Sequence, residues 1–398
     1  MCKAKITYGL PFILLFTVTA GCGTKAPQTP AADVEVEAPE TQPLAPKQLP
    51  PPGEPGPFLL QITDQFPTQV FGSAATNDYF AVAIQGDVRD ETLCPQTHLL
   101  TCFRGVAYIV ARMNPNTPRL VSLYESDTQS GSRVDDLASA SNRFVFAINE
   151  GHYAGDSLAS SLLVVDQGGT PERTIPLNSQ TQTTIQTALV SGEEALSACF
   201  VVKENASQNK TSIRCEEINP VTGSRGTLMN WSFDVPVRSF DIARLHDDLL
   251  VVWNAGGHIY ASFSDDAQNA VDLGEATTLR PIVAAGHEQF MIAWQDASMQ
   301  TRVTRLTRSE PPKKSLALSG VSHRSLGGLV PTTSGFVLAF RYENAQQLAV
   351  IEPDLSAWNL VEGSTTWRML SDYASLDIQE AHQGKIYWQT VDSLIGEH

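Results

Sequence analysis

Leu249-Leu-Val-Val-Trp253 stands directly behind the polar turn His246-Asp-Asp248. Five apolar residues without a break are short for a helix and suit a strand covered on both faces. The same phrase returns along the chain. Before it come Tyr79-Phe-Ala-Val-Ala-Ile84, Phe144-Val-Phe-Ala-Ile148 and Ala198-Cys-Phe-Val-Val202. After it come Phe290-Met-Ile-Ala-Trp294, Phe336-Val-Leu-Ala-Phe340 and Lys385-Ile-Tyr-Trp388. Each follows turn residues of its own: Thr76-Asn-Asp78, Ser141-Asn-Arg143, Gly192-Glu-Glu194, Gly286-His-Glu288, Thr333-Ser-Gly335 and His382-Gln-Gly384. From Phe80 to Ile386 the seven anchors span 306 residues, six intervals of about 51.

A second, loosely alternating strand follows each of the first six anchors: Ala107–Val110, Leu162–Val165, Ser212–Cys215, His258–Ala261, Arg302–Arg305 and Leu348–Ile351. A weaker strand precedes the anchor, as at Ile242–Leu245 and Ile282–Ala284, and no convincing amphipathic helix appears. Residues 58–398 exceed the size at which one ordinary core stops growing, so they form either a repeat or two domains. Three or four strands per unit, repeated seven times, predict an all-β fold: a β-propeller of about seven four-stranded blades. The alternative is a pair of β-sandwiches with the same alternation. A lone blade cannot cover both of its faces, so the ring must close. The expected closing blade joins strands near Tyr373–Ile378, Lys385–Thr390 and Ser393–Ile395 to an N-terminal strand, Phe58–Ile62.

The N-terminus is of another kind. Lys3 and Lys5 precede an uncharged run, Ile6 to Ala20, too short to span a ~30 Å hydrocarbon core and matching a secretory h-region. Small residues then lead to Cys22. Val18-Thr-Ala-Gly-Cys22 resembles the lipobox of bacterial lipoproteins, with Thr19 in place of the usual leucine. The resemblance implies a signal peptide at 1–21, a diacylglyceryl group on Cys22 and an anchor of two or three acyl chains, which holds where a single chain does not. With Gly23-Thr24 and no Asp after the cysteine, it further implies release to the outer membrane, either facing open. An ordinary leader with Cys22 in a disulfide is the alternative. No later segment has 18 uninterrupted apolar residues.

Residues 22–57 read as a tether. Ten prolines and no aromatic residue between 23 and 57 leave too little apolar surface to fold, and the segment is expected to be extended and polyproline-like. Loss of residues 1–21 would take the net charge from −16 to −18. So acidic a body argues against nucleic acid as partner.

Besides Cys2 and Cys22, four cysteines remain: Cys94, Cys102, Cys199 and Cys215. Export places them where disulfides persist, and three pairings exist. Proximity favours Cys94–Cys102 and Cys199–Cys215. Without a CxxC or a histidine at ligand spacing, no metal is expected.

No catalytic constellation stands out. There is no Gly-x-Ser-x-Gly, Walker A, HExxH or EF-hand loop, and no cofactor is expected. His246, His287 and His382 occupy equivalent turns before anchors, so their recurrence reflects the repeat. The paired acids of Gly192-Glu-Glu194 and His246-Asp-Asp248 read as solvated turns. Asp166-Gln-Gly-Gly-Thr170 resembles a fragment of the sialidase Asp-box, without its leading Ser and closing Trp or an identifiable arginine triad. Ile218-Asn-Pro-Val-Thr-Gly-Ser-Arg-Gly-Thr-Leu-Met-Asn-Trp231 resembles one quinoprotein-type blade motif, which implies that Trp231 docks onto the next blade. That motif occurs in the propeller lipoprotein of the outer-membrane protein assembly machinery; the other repeats here lack it.

The long loops after the first three anchors are the candidate partner-binding elements: Gln85–Arg104, Asn149–Ser161 and Lys203–Thr211. They carry Asp87, Arg89, Asp90, Glu91, Glu150, His152, Tyr153, Asp156, Lys203, Glu204 and Lys210. Loops on a rigid scaffold are where binding resides, although tolerated insertions would look the same. The expectation is a monomeric, non-enzymatic envelope lipoprotein whose propeller docks a protein or glycan. The alternatives are a propeller-type glycan lyase or hydrolase, and a component of outer-membrane protein assembly.

Overall fold

The computed structural model describes residues 58–389 except 62–65, 77, 89–101, 112–113, 127–131, 151–158, 179–181, 205–209, 267–268, 278–279, 311, 313–314, 323–324, 333, 343–344, 362–366, 371–374 and 379–384. These belong to one compact unit, Leu44–His398. Ser393–Ile395, Cys22 and the tether lie outside the described residues.

Strand β1 (Phe58–Gln61) opens the unit and six sheets follow in chain order. The first holds β2 (Phe66–Ala75), β3 (Tyr79–Val88), β4 (Cys102–Ala111) and β5 (Asn114–Ser126). The second holds β6 (Arg133–Ala140), β7 (Arg143–Glu150), β8 (Ala159–Asp166) and β9 (Pro171–Pro176). The third is β10 (Gln182–Val190), β11 (Leu196–Glu204), β12 (Thr211–Ile218) and β13 (Arg225–Phe233). In the fourth lie β14 (Val237–Leu245), β15 (Asp248–Ala255), β16 (His258–Phe263) and β17 (Val271–Glu275). The fifth comprises β18 (Ile282–Gly286), β19 (Gln289–Gln295), β20 (Gln300–Leu306) and β21 (Leu316–Ser322). The sixth comprises β22 (Ser325–Pro331), β23 (Phe336–Tyr342), β24 (Ala345–Ile351) and β25 (Trp358–Val361). All are antiparallel meanders, and no α-helix occurs among the described residues.

The seventh sheet closes the ring. β26 (Trp367–Leu370), β27 (Ser375–Ile378) and β28 (Lys385–Gln389) supply three strands, and β1 pairs with β28 as the fourth, Phe58 opposite Trp388 and Gln61 opposite Lys385. Each first strand lies beside the first strand of the next sheet, from β2 through β6, β10, β14, β18 and β22 to β26, and β26 returns to β2. Seven first strands therefore surround one axis, as the repeat and the closing strand predict. Two assignments need correction. The strand that completes the closing sheet is β26, Trp367–Leu370, in the place expected for Ser393–Ile395. The first six anchors are second strands, but Lys385–Trp388 lies in a third strand, β28; the second strand of that sheet is β27. Its Ser375-Leu-Asp-Ile378 is short and broken by a charge, so the apolar run of its neighbour stood out instead.

Alternation within the anchors explains why they are apolar throughout. Phe144, Phe146 and Ile148 pack towards the preceding sheet, against Ala81, Ile109 and Val121, while Val145 and Ala147 pack towards the following one, against Leu196 and Phe200. The large side chains point backwards in the next four anchors too: Phe200 and Val202, Trp253, Phe290 and Trp294, Phe336 and Phe340. Smaller ones point forwards, as with Cys199, Val201, Ala293 and Ala339. Each seam among the described side chains is thus large against small, the interdigitation a close-packed core demands.

Cys199 of β11 and Cys215 of β12 are register partners, both fully buried, and form a disulfide with Cα atoms 4.0 Å apart. Cys94 lies outside the described residues, and Cys102 begins β4. Replacing Cys199 and Cys215 together by alanine should lower the unfolding free energy by about 3 kcal/mol, the loop-closure value for a loop of about 15 residues. A urea titration measures this. A shift under about 1 kcal/mol would assign the pair a packing role only.

Candidate binding site at one mouth of the ring

In a four-stranded meander the connections between second and third strands, and those between sheets, leave at the same end: the end at which each first strand begins. The hairpins between first and second strands leave at the other. The ring therefore has an entry mouth and a hairpin mouth. The second-to-third connections, all at the entry mouth, span 13, 8 and 6 residues in the first three sheets, 2, 4 and 2 in the next three and 6 in the seventh. The third-to-fourth connections leave at the hairpin mouth and include seven residues between β16 and β17 and nine between β20 and β21. At the entry mouth Asp87 and Glu150 stand at the ends of β3 and β7, Lys203 near the end of β11, and exposed Lys210 just before β12. Arg89, Asp90, Glu91, His152, Tyr153 and Asp156 lie outside the described residues.

What the sequence reading missed lies beside these loops, on the first strands. Bulges interrupt pairing between Val134 and Asp136 in β6, between Thr184 and Gln186 in β10 and between Val237 and Ser239 in β14. A bulge re-aims side chains out of the regular alternation. Here polar side chains reach the next sheet. Asp135 accepts the Thr187 N–H at 2.7 Å, and Asp136 accepts those of Leu189 and Leu137, each at 2.8 Å. Gln186 both donates to the Phe240 carbonyl and accepts its N–H. Asp241 accepts the Val283 N–H at 2.9 Å and, on its other oxygen, Arg280 Nη2 at 2.6 Å. Arg133 Nε donates to Asp135 at 2.6 Å, and Asn149 Nδ2 donates to the other Asp135 oxygen.

Three aspartates and two arginines from sheets two, four and five thus gather inside the ring. Burial pushes the Asp136 carboxyl up from 3.8 to about 7 against the pull of Arg280 and of the two N–H donors, with Asp241 adding to the rise. Burial raises Asp135 as well, opposed by Arg133. Burial works against the charge on Arg280, yet Asp241, Asp136 and Asp135 outweigh it and hold the proton more firmly. Although enclosed by protein, Arg280 keeps 38% of its side-chain surface exposed.

A raised carboxyl binds more protons folded than unfolded. Its contribution to stability is fully present below about pH 4 and lost as the pH rises through about 7. Asp136→Asn should remove that dependence: relative to the parent, the variant should be more stable at about pH 8 than at about pH 5. Chemical denaturation at the two pH values tests it, and an unchanged difference would refute the shift.

At the hairpin mouth the histidines behave as repeat markers. His246 and His287 sit in first-to-second turns; His246 meets Glu288 at 3.2 Å, while His287 Nε2 lies 2.8 Å from the Thr332 carbonyl. His382 lies outside the described residues. Glu193 and Glu194 are solvated as expected, whereas Asp248 of the second acidic pair meets Arg308 at 2.7 Å. Asp166-Gln-Gly-Gly-Thr170 is the turn between β8 and β9, where the Asp166 carboxylate accepts the Thr170 N–H at 2.7 Å. Trp231 of β13 does meet the next sheet, its ring 5.5 Å from that of Trp253. No group of three metal-ligating side chains occurs among the described residues.

This architecture, seven four-stranded sheets about an axis closed by the N-terminal strand, is a β-propeller. The β-propeller domain of the Trilobed protease from Pyrococcus furiosus is similar over 82% of this chain and 94% of its own, with a TM-score of 0.50 and 10% identity. A chain of the Mitotic Checkpoint Complex is similar over 91% of this chain and 99% of its own, with a TM-score of 0.51 and 11% identity. At such identities the likeness is one of fold. No family model matches the sequence, and no curated protein matches it.

Proposed function

We propose that this chain is a bacterial envelope lipoprotein, held at the outer membrane by acyl chains on Cys22, whose propeller is a non-enzymatic docking module for a protein partner. The observation that carries the docking role is the pair of connections on adjacent sheets at the entry mouth, 13 residues between β3 and β4 and 8 between β7 and β8. A ring of this kind also occurs in a chain of the Mitotic Checkpoint Complex, a multiprotein assembly. Photo-crosslinking residues placed at Lys210 and Tyr153 in intact cells should yield adducts to one defined protein, and the same residue at Glu194 on the hairpin mouth should not. Adducts equally frequent at both mouths would refute it. Cys22→Ala should move the protein from the membrane to the soluble fraction; retention would refute the anchor. A β-barrel insertase in the adducts would mark a component of outer-membrane protein assembly.

One observation favours an enzyme instead. Asp135, Asp136 and Asp241 converge in the ring with two of them shifted upwards, the pattern of catalytic carboxylates, and a protease is among the proteins that carry such a propeller. Against this, every oxygen of the three already accepts a hydrogen bond from a backbone N–H, Arg133, Arg280 or Asn149. Such carboxylates fasten sheets together. Turnover of an envelope glycan that Asp136→Asn abolishes would reverse this choice.

A further inference from the structure

The outer half of the seam between the third and fourth sheets holds a cluster of half-buried aromatic side chains. Trp231 and Phe233 of β13 each place a ring 5.5 Å from that of buried Trp253, and Tyr260 of β16 stacks beside Trp253 at 5.8 Å. His258 stacks in turn on Tyr260 at 6.2 Å. Adjacent sheets come closest at their first strands, so these outer rings lie where the seam widens towards water. Acids border them. His258 Nδ1 meets both oxygens of Asp272, at 3.2 and 3.1 Å, the two side chains 38% and 48% exposed. Exposed Glu275 stands opposite His258 in register, and exposed Asp234 directly follows Phe233. Neither Glu275 nor Asp234 has an ion-pair partner among the described residues. The rim is unobstructed: apart from chain neighbours, a methyl group at Gly257 or Gly274 would meet nothing within 4 Å.

One seam further on, the same combination is completed from within the chain. Arg308 lies 4.6 Å over the Phe263 ring, donates to both oxygens of Asp265 at 2.9 and 3.0 Å and reaches Asp248 at 2.7 Å. At the seam between the third and fourth sheets the rings and the acids are present, and no arginine or lysine among the described residues lies over Trp231, Phe233 or Tyr260.

We infer that this outer rim binds an arginine-bearing peptide, whose guanidinium lies against Trp231 and Tyr260 and donates to the carboxylates of Asp272 and Glu275. A guanidinium stacks on aromatic faces and offers paired donors to carboxylates, so rings and acids side by side match it on both counts. A neutral sugar would use the rings and leave the unpaired carboxylates without a counter-charge; charge complementarity selects the cation. The site goes beyond the docking loops, which belong to the first two sheets, and does not depend on them.

The test uses the full chain in mild detergent with a fluorescein-labelled Gly-Arg-Gly-Arg-Gly peptide, read by fluorescence anisotropy in about 150 mM salt. Binding is expected. Glu275→Gln and Tyr260→Leu should each weaken it about two- to fivefold, and together about tenfold. Glu275 is exposed, so its variant keeps the test decisive even where Tyr260→Leu disturbs packing. Glu194→Gln at the hairpin mouth should leave binding unaltered. Failure to bind, or binding indifferent to Glu275→Gln, overturns the inference. So does equal weakening by Glu194→Gln, which would mark diffuse attraction of a cation to an acidic body, and so does preference for cellohexaose over the peptide. Peptide binding with no adduct at Lys210 in cells would strike the docking role alone; an adduct at Lys210 with no peptide binding would strike this inference alone.

Discussion

Deletion of residues 58–64 is expected to abolish the single cooperative melting transition of the ring. β1 is the sole strand of the seventh sheet that comes from the N-terminal side of the chain. Its three partners are short, at four, four and five residues. Without β1, the backbone groups of β28 that face it lose their partners and become an open edge, which favours pairing with other molecules over a lone fold. The weakened sheet is also the one through which β22 and β2 meet, by way of β26. Opening it exposes two flat faces at once. Differential scanning calorimetry should show a broad or aggregating transition in place of one sharp peak. A truncated chain that melts within about 2 °C of the parent, a shift worth roughly 1 kcal/mol or less, would contradict closure by this strand. The Pyrococcus furiosus domain is described as having an open velcro topology, so closure is a property of this chain and not of the architecture in general.

The second large effect is expected from Phe240→Ala, at about 3–5 kcal/mol. Phe240 is fully buried in the seam between the third and fourth sheets, with Trp253, Val251 and the Cys199–Cys215 pair. Its backbone is pinned from the neighbouring sheet by Gln186, which limits how far the strand can relax into the hole. A cavity that cannot collapse costs the most. In urea the midpoint should fall while the slope stays constant, because the same surface is exposed on unfolding. Leu120→Ala, at a side chain 53% exposed, should change little. A loss under about 1 kcal/mol at Phe240 would mean that the seam is loosely packed.

The second strands were legible because burial on both faces leaves no room for polar residues, and Phe144-Val-Phe-Ala-Ile148 announces that in any frame. The first strands were not, because they do a different task. Arg133-Val-Asp-Asp136 reads as a poor strand, with charges where a core should be. Those charges face the interior of the ring and bond the backbone of the next sheet, through bulges that no period-two pattern reveals. The signal available was recurrence: Asp135–Asp136, Gln186 and Asp241 each stand several residues before an anchor, inside an otherwise apolar stretch. Lys203 and Lys210 were picked out as loop residues, and the entry mouth does hold them. Arg280 was missed because only the ring brings it to Asp241 of the neighbouring sheet. The seventh repeat misled because β26 and β27 are too brief to carry an apolar run, and the chain ends supply the rest.

Closure is best tested by the register of β1 on β28. Leu60 stands opposite Ile386 in that pair. In the double variant Leu60→Cys, Ile386→Cys, mild oxidation should join the two introduced thiols within one chain in nearly all molecules, the link being identified by peptide mass spectrometry. The double variant Leu60→Cys, Leu370→Cys, whose positions belong to the two outermost strands of the same sheet, should not form such a link. Absence of the first link in folded protein, or equal formation of both, would contradict a ring closed by its N-terminal strand.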